Sequence, residues 1–345
     1  MKLTSLLPLG SMFFRHWHTD DSEIGIGVAK AAFTIDPDGG LRTVRPAPEL
    51  QLEDIYEGDP ALTPMLSEQD TAPGKTGTDI VIHADAHSPG GRDLADWQVG
   101  VSIPERLTYQ FMVRGPSRWE HGLLGWKLSE PALVNRVPLT YALAYGGPAG
   151  GWAEVPKDNP VYQRNPAGKG YATEDSLKGK QPFDAPQIGD IGDFMGAQAG
   201  QEMMVHGVGP IGKAWLPRRA HAGTFDQDWI DTRHPRMPRD YELDFWNNAH
   251  PRLQLRPYLT GNEVITLHGM VPGGGDRSIK LPGIKMMLAA TGDNVSKNHT
   301  MKLDTVVIDV RDPNPEAHSL NLVWRALVTG PARFDAGTLQ SVKLE

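Results

Sequence analysis

The sequence predicts a mainly β protein: a large antiparallel body, sandwich-like or barrel-like, with little helix and a long irregular insert. Three observations predict it. Apolar residues recur at every second position over several stretches, the spacing of a strand with one buried face. The 345 residues include 38 Gly and 29 Pro, a density that cuts a chain into short elements and leaves little room for long helices. Between about 146 and 258 the alternation disappears, and Gly, Pro, Asn and aromatic residues take over. We therefore expect one β-rich domain over residues 1–345, with strands over about 1–145 and 259–345 flanking that loop-rich segment.

Taken in order, "MKLTSLLPLGSMFF" imitates an export signal, with one Lys and a short apolar run. Pro8 interrupts the run, no small-residue cleavage site follows, and "RHWHTDD" (15–21) comes at once, so it reads as a first strand. "IGIGVAKAAFTI" (24–35) is the next. Residues 60–69 and 91–97 are the pieces suited to short helices. Between them, "IHADAH" (82–87) places His83, Asp85 and His87 on one strand face, opposite Ile80, Ile82, Ala84 and Ala86. Imidazole and carboxylate are ligands of zinc or non-haem iron. The row has no further ligand in view, and the wet face of a half-buried strand explains it more simply. "VGVSIPERLTYQFMV" (99–113) holds two alternating runs joined by Pro104-Glu105-Arg106, the pattern of a hairpin.

The insert contains "AYGGPAGGW", "NPVYQRNPAGKGY" and "PRRAHAGTFDQDW". Trp152, Tyr162, Tyr171, Phe183, Phe194, Trp215, Phe225, Trp229, Tyr241, Phe245 and Trp246 give each part an anchor. Disordered chains lack such anchors, so ordered loops packed on a β scaffold are expected. "EVITLHGMV" (263–271), "MKLDTVVIDV" (301–310) and the alternating Leu320, Leu322, Trp324, Ala326 and Val328 supply the later strands.

Composition excludes several function classes. A net charge of −8 opposes nucleic acid or anionic lipid as the main partner. The absence of cysteine removes disulfides, thiolate metal sites and a cysteine nucleophile. No apolar stretch approaches the ~20 residues needed to span a membrane, and a cytoplasmic location is expected. "NPAGKG" (165–170) lacks the first glycine spacing and the Ser/Thr of a phosphate loop. "GTFDQDWIDTRHPR" (223–236) crowds Asp226, Asp228 and Asp231 against Arg233 and Arg236. Such carboxylates suit calcium, a glycosidase-like acid/base pair or an internal ion-pair network, and the last is the expected reading. No nucleophile elbow or zinc-protease helix is present. No catalytic residue, cofactor or metal is therefore expected.

What remains is structural punctuation, and its order is informative. The series runs "KTGTDIVIHADAHSPGG" (75–91, with Asp79), "VRGPSRW" (113–119, with Arg114, Arg118 and Trp119) and "VPLTYALAYGG" (137–147, with Tyr145, Gly146 and Gly147). It continues with "NPAGKG" (Asn165, Pro166, Gly168) and "WLPRRAHAGTFDQDW" (215–229, with Trp215, Arg218, Gly223, Thr224, Asp226 and Trp229). "RHPRMPRDYELDFWNNAHP" (233–251, with Arg233 and Pro235), "LTGNE" (Gly261, Glu263), "LDT" (Asp304) and "LVWR" (Trp324, Arg325) close it. Over roughly residues 20 to 330 this series resembles a bacterial family, the domain of unknown function 2169, found with type VI secretion systems. The chain departs from it at His83, where the family commonly has Gly, and at Thr76, where Pro is frequent. The resemblance implies a cytoplasmic adaptor or chaperone whose partners are a toxic effector, often with a Pro-Ala-Ala-Arg tip domain, and the secretion spike. The alternative is a β-sandwich hydrolase, possibly metal-dependent, using Asp226/Asp228/Asp231 or His83/Asp85/His87.

Overall fold

The computed structural model describes residues 2–5, 8–151, 160–292, 295–329 and 336–343; Trp152 lies outside them. Among the described residues strands hold 40% and helices 13%, in several sheets with no closed barrel, so the mainly β expectation holds. The largest sheet has seven strands. Gln254–Leu255, Thr78–His83, Lys302–Asp309, Ser319–Thr329, Glu23–Ile35 and Gly10–Trp17 follow one another across it, and Leu41–Thr43 adds to Glu23–Ile35. The pairing is antiparallel except where Thr78–His83 runs parallel to Lys302–Asp309, with Thr305 opposite Asp79. A second sheet of five orders Ile188–Gly189, Leu107–Arg114, Asp96–Ile103, Val264–His268 and Asp276–Lys280. A third of four contains Lys2–Ser5, Ala336–Lys343, Ile284–Gly292 and Val295–Thr300.

Period-two burial brings these sheets together. Ala31, Phe33, Ile80, Ile82, Ile308, Leu320 and Leu322 from the first share one apolar core with Val99, Val101, Tyr109, Phe111, Ile265 and Leu267 from the second. Met286, Leu288 and Leu339 of the third join the same core. The opposite parity leaves Lys30, Val81, His83, Thr305, Asn321 and Arg325 on the other face of the large sheet, around a small polar cavity of about 100 Å³.

Four expectations need correction. The N-terminal stretch forms two strands: Lys2–Ser5 pairs with Ala336–Lys343, whereas Gly10–Trp17 pairs with Glu23–Ile35. Neither 60–69 nor 92–97 is helical, and Gly91 only ends the short turn Pro89–Gly91; Met65–Ser67 pairs with Ile55–Tyr56, and Asp96 opens the strand Asp96–Ile103. Cross-strand pairing, mostly with neighbouring strands, decided these segments over local helix propensity. The insert is also more regular than its composition suggested. It holds the helices Glu174–Lys178, Ile191–Met195, Leu216–Arg219 and Gln227–Thr232, and the parallel pair Tyr145–Gly146 with Lys169–Gly170. Elements this short carry no readable period; Glu174–Lys178 is fixed instead by a reciprocal cap between Thr173 and Ser176. No helix among the described residues is long and apolar enough to cross a membrane.

Candidate functional site

Several charged residues of the ordered motifs hold the insert on the large sheet. Asp79 is fully buried on the strand Thr78–His83. Its carboxylate accepts from Lys75 Nζ at 2.7 Å, Asn247 Nδ2 at 3.0 Å and the Asn248 backbone N–H at 2.8 Å. One carboxylate therefore ties the sheet to the far end of the insert. Arg218, 1% exposed, does more. Its Nε donates to the Phe245 carbonyl at 2.8 Å, Nη1 to the Ile211 carbonyl at 2.9 Å, and Nη2 to the Glu68 carboxylate. Arg325 pairs with buried Asp304 and donates to the Asp70 carbonyl at 2.7 Å, while Asp70 accepts from Lys30 at 2.8 Å.

Turn residues complete the frame. Asn165 Nδ2 donates to the carbonyls of Tyr141 and Tyr145 at 2.9 and 3.0 Å. Gly147 has φ +78°, and a Cβ there would lie 2.0 Å from the Gly168 carbonyl oxygen, so only glycine fits. Pro166 and Gly168 are buried in the same turn, and Tyr145 packs edge-on against Tyr162 and Tyr171. Trp119 is buried against Phe183, exposed Arg118 pairs with Asp184 at 3.2 Å, and Arg114 lies 4.5 Å over the Phe194 ring. Trp215 and Trp324 are fully buried. Gly261 has φ +98°, and Glu263 closes that turn by accepting the Thr260 and Gly261 N–H groups.

The expected ion-pair network of 223–236 does not form. Asp226 caps the helix Gln227–Thr232 by accepting the Trp229 N–H at 2.9 Å, and Asp231 accepts from Gln227. Arg233 and Arg236 each reach Asp21 at 3.1 Å, and Arg233 also donates to the Thr19 carbonyl. The short helix directs its carboxylates to solvent, while the arginines turn to a different part of the chain. Gly223 and Thr224 join this region to Asp240, Trp229 Nε1 donates to the Arg236 carbonyl, and the His234–Pro235 peptide is cis. In the row His83, Asp85, His87, the Asp85 carboxylate is held by Arg136 at 2.5 to 2.7 Å. Burial is the main cause holding both imidazoles below their ordinary pKa. Among the described residues no three His, Asp or Glu side chains are placed to hold a metal.

Sequence reasoning missed a sizeable concavity. A cleft of about 620 Å³ opens within the insert, with Tyr141, Met203, Met204, Val205, Ile211 and His250 in its wall. That volume lies within the roughly 300–1,000 Å³ of ligand sites. Three local turns shape it. Thr140 caps the turn Tyr141–Leu143, Pro217 stands at the start of Leu216–Arg219, and Pro251 begins the turn Pro251–Leu253. His250 is itself the cap of that last turn. Its Nδ1 accepts the Arg252 N–H at 3.2 Å and its Nε2 donates to the Val205 carbonyl at 3.1 Å. Burial lowers its pKa to about 4, so at neutral pH the ring is uncharged, with both nitrogens occupied. It stacks on Tyr109 with centroids 4.8 Å apart and serves as apolar wall rather than as acid or base. Arg164, Asp193, Glu202 and Arg252 also line the cleft, and no ion pair joins any of the four to another. The run Met203-Met204-Val205 was the available signal, but it carries no period and no motif.

A family model described as "Uncharacterized protein conserved in bacteria (DUF2169)" matches residues 20–325. Neither the curated proteins nor the solved structures hold a match.

Proposed function

The chain belongs to this bacterial family, and from that membership and the cleft we propose that it is an adaptor or chaperone for a type VI secretion effector. In this reading it works in the cytoplasm without turnover. It binds one effector, of the kind that carries a Pro-Ala-Ala-Arg tip domain, and helps seat it on the spike.

 The carrying observation is the open cleft built on a stapled frame: buried charges fix the loops to the sheet, and the cleft's own charged groups are left unpaired with one another. A rigid surface with unmatched hydrogen-bonding groups is what a selective binder presents. The motif residues from Asp79 to Arg325 then act as structure, and the contact residues lie around the cleft. The hydrolase alternative gains nothing from these contacts, because Asp226 is a helix cap and Asp85 is held by Arg136.

Deleting the gene in its native bacterium tests this reading. Secretion of a single effector should stop, or that effector should be depleted in the cell, while the tube protein is still secreted. Loss of every cargo together with the tube protein would make it core machinery. Untouched secretion with no co-purifying effector would end the adaptor reading.

A further inference from the structure

We propose that the cleft takes an extended peptide segment in which a large apolar side chain stands beside a carboxylate. The proposal rests on the adaptor reading for the origin of that segment, and on the cleft for its chemistry. The apolar requirement comes from the wall. Met203, Val205, Ile211 and the uncharged His250 ring form a surface suited to an aliphatic or aromatic side chain, and unbranched methionine adapts to its shape.

The polar requirements come from groups left open. Tyr141 is 3% exposed and lines the cleft, yet its hydroxyl has no hydrogen-bond partner among the described residues. A buried hydroxyl without a partner is unfavourable, and a main-chain carbonyl or N–H of an occupant would satisfy it. One carboxylate oxygen of Asp193 is also buried and unpartnered among the described residues, and would accept an occupant's N–H. Glu202 is already engaged by the Tyr162 hydroxyl at 2.5 Å. On the cationic side, Arg164 is exposed and makes no hydrogen bond or ion pair among the described residues. Arg252 donates to the Thr108 carbonyl at 2.8 Å and has no carboxylate partner among the described residues. The occupant thus offers N–H and C=O groups, an apolar side chain and a carboxylate. A peptide has all four. A polynucleotide would bring phosphates against Asp193 and Glu202, and a fatty acid has no N–H for Asp193.

The test selects random displayed dodecapeptides on the full-length protein, with counter-selection on Met204→Arg, whose 63% exposure makes the change tolerable to the fold. Enriched peptides should share a Leu, Ile, Met or Phe beside Asp or Glu. By fluorescence polarisation, a selected peptide should bind Tyr141→Phe about tenfold more weakly, the size of one lost hydrogen bond. The melting temperature of that variant should not fall, because only an unpartnered hydroxyl is removed. Arg164→Glu should abolish binding to acidic peptides and restore it to peptides with Lys in place of the acid. Peptides that bind Met204→Arg undiminished, enrichment without an acidic residue, or oleate that competes while no peptide is enriched would each overturn the proposal. The same variants separate it from the adaptor reading. An effector complex that survives Met204→Arg and Arg164→Glu unchanged removes the cleft from cargo binding and leaves the adaptor reading standing. Peptide binding as described, with no effector dependent on the gene, keeps the cleft and removes the adaptor.

Discussion

Arg218 donates from one guanidinium to Phe245, Ile211 and Glu68, so its removal unties three segments at once and leaves the Glu68 carboxylate buried. Breaking a buried pair in this way costs about 3–5 kcal/mol, and Arg218→Ala should lower the denaturant midpoint accordingly, with Arg218→Lys recovering only part. Lys75 at 3.6 Å and Lys213 at 3.8 Å also face Glu68, and an unchanged midpoint would show that these two cations suffice for it. His250 gives a pH signature. Its folded pKa of about 4 lies below the ordinary 6.5, so between those values the unfolded chain binds more protons. The stability from the neutral buried ring is complete above pH 6.5 and is lost as the pH falls through about 4. The gap corresponds to about 3 kcal/mol. Since His83 and His87 are lowered too, the measurement is a difference: stability of His250→Gln should fall less steeply over that window than wild type. At this scale the sequence revealed that Arg218, Asp79 and Asn165 matter, since each sits in a recognisable motif. It hid Glu68 as the partner of Arg218, because 150 residues separate the two.

Elements were legible where they are long enough to show a period. The hairpin Asp96–Ile103 with Leu107–Arg114 follows the alternation directly, with Val101 opposite Tyr109 and Val99 opposite Phe111. The helix Gln227–Thr232 was not, since six residues make less than two turns and "GTFDQDWID" reads as a charge cluster. Its true organisation changes a prediction. As a cap rather than an ion-pair partner, Asp226 contributes about 1 kcal/mol, so Asp226→Ala should destabilise far less than Arg218→Ala, and Asp226→Asn should be close to wild type. Comparable losses for the two alanine variants would restore the network reading. The turn at 146–147 makes the opposite case. Gly147→Ala places a methyl group 2.0 Å from the Gly168 oxygen at a positive φ, so it should displace the Asn165 turn and destabilise by more than the about 1 kcal/mol of an ordinary glycine substitution.

For the whole molecule, the decisive question is whether the insert stands apart from the sheets that flank it. A chain of this length ordinarily melts in more than one step, and a loop-rich segment of about a hundred residues would be the part to leave first. The contacts argue otherwise. Asp79 on the large sheet holds Asn247 and Asn248, Arg218 holds Glu68, and Ile211, Trp215 and Leu253 belong to the same apolar core as Ile80 and Leu320. Opening the insert would therefore expose that core and strand several buried charges together. The sequence displayed both ends of these links without showing that they meet, because pairing across more than a hundred residues leaves no local pattern. We predict one cooperative transition, with tryptophan fluorescence, to which Trp152, Trp215, Trp229 and Trp246 of the insert contribute alongside the tryptophans outside it, and far-ultraviolet dichroism, which reports on the sheets, giving the same midpoint. Arg218→Ala should move both midpoints equally. If fluorescence changed first while the sheet signal persisted, the insert would be a separately folding unit. The cleft would then be a surface that forms and dissolves independently of the body beneath it.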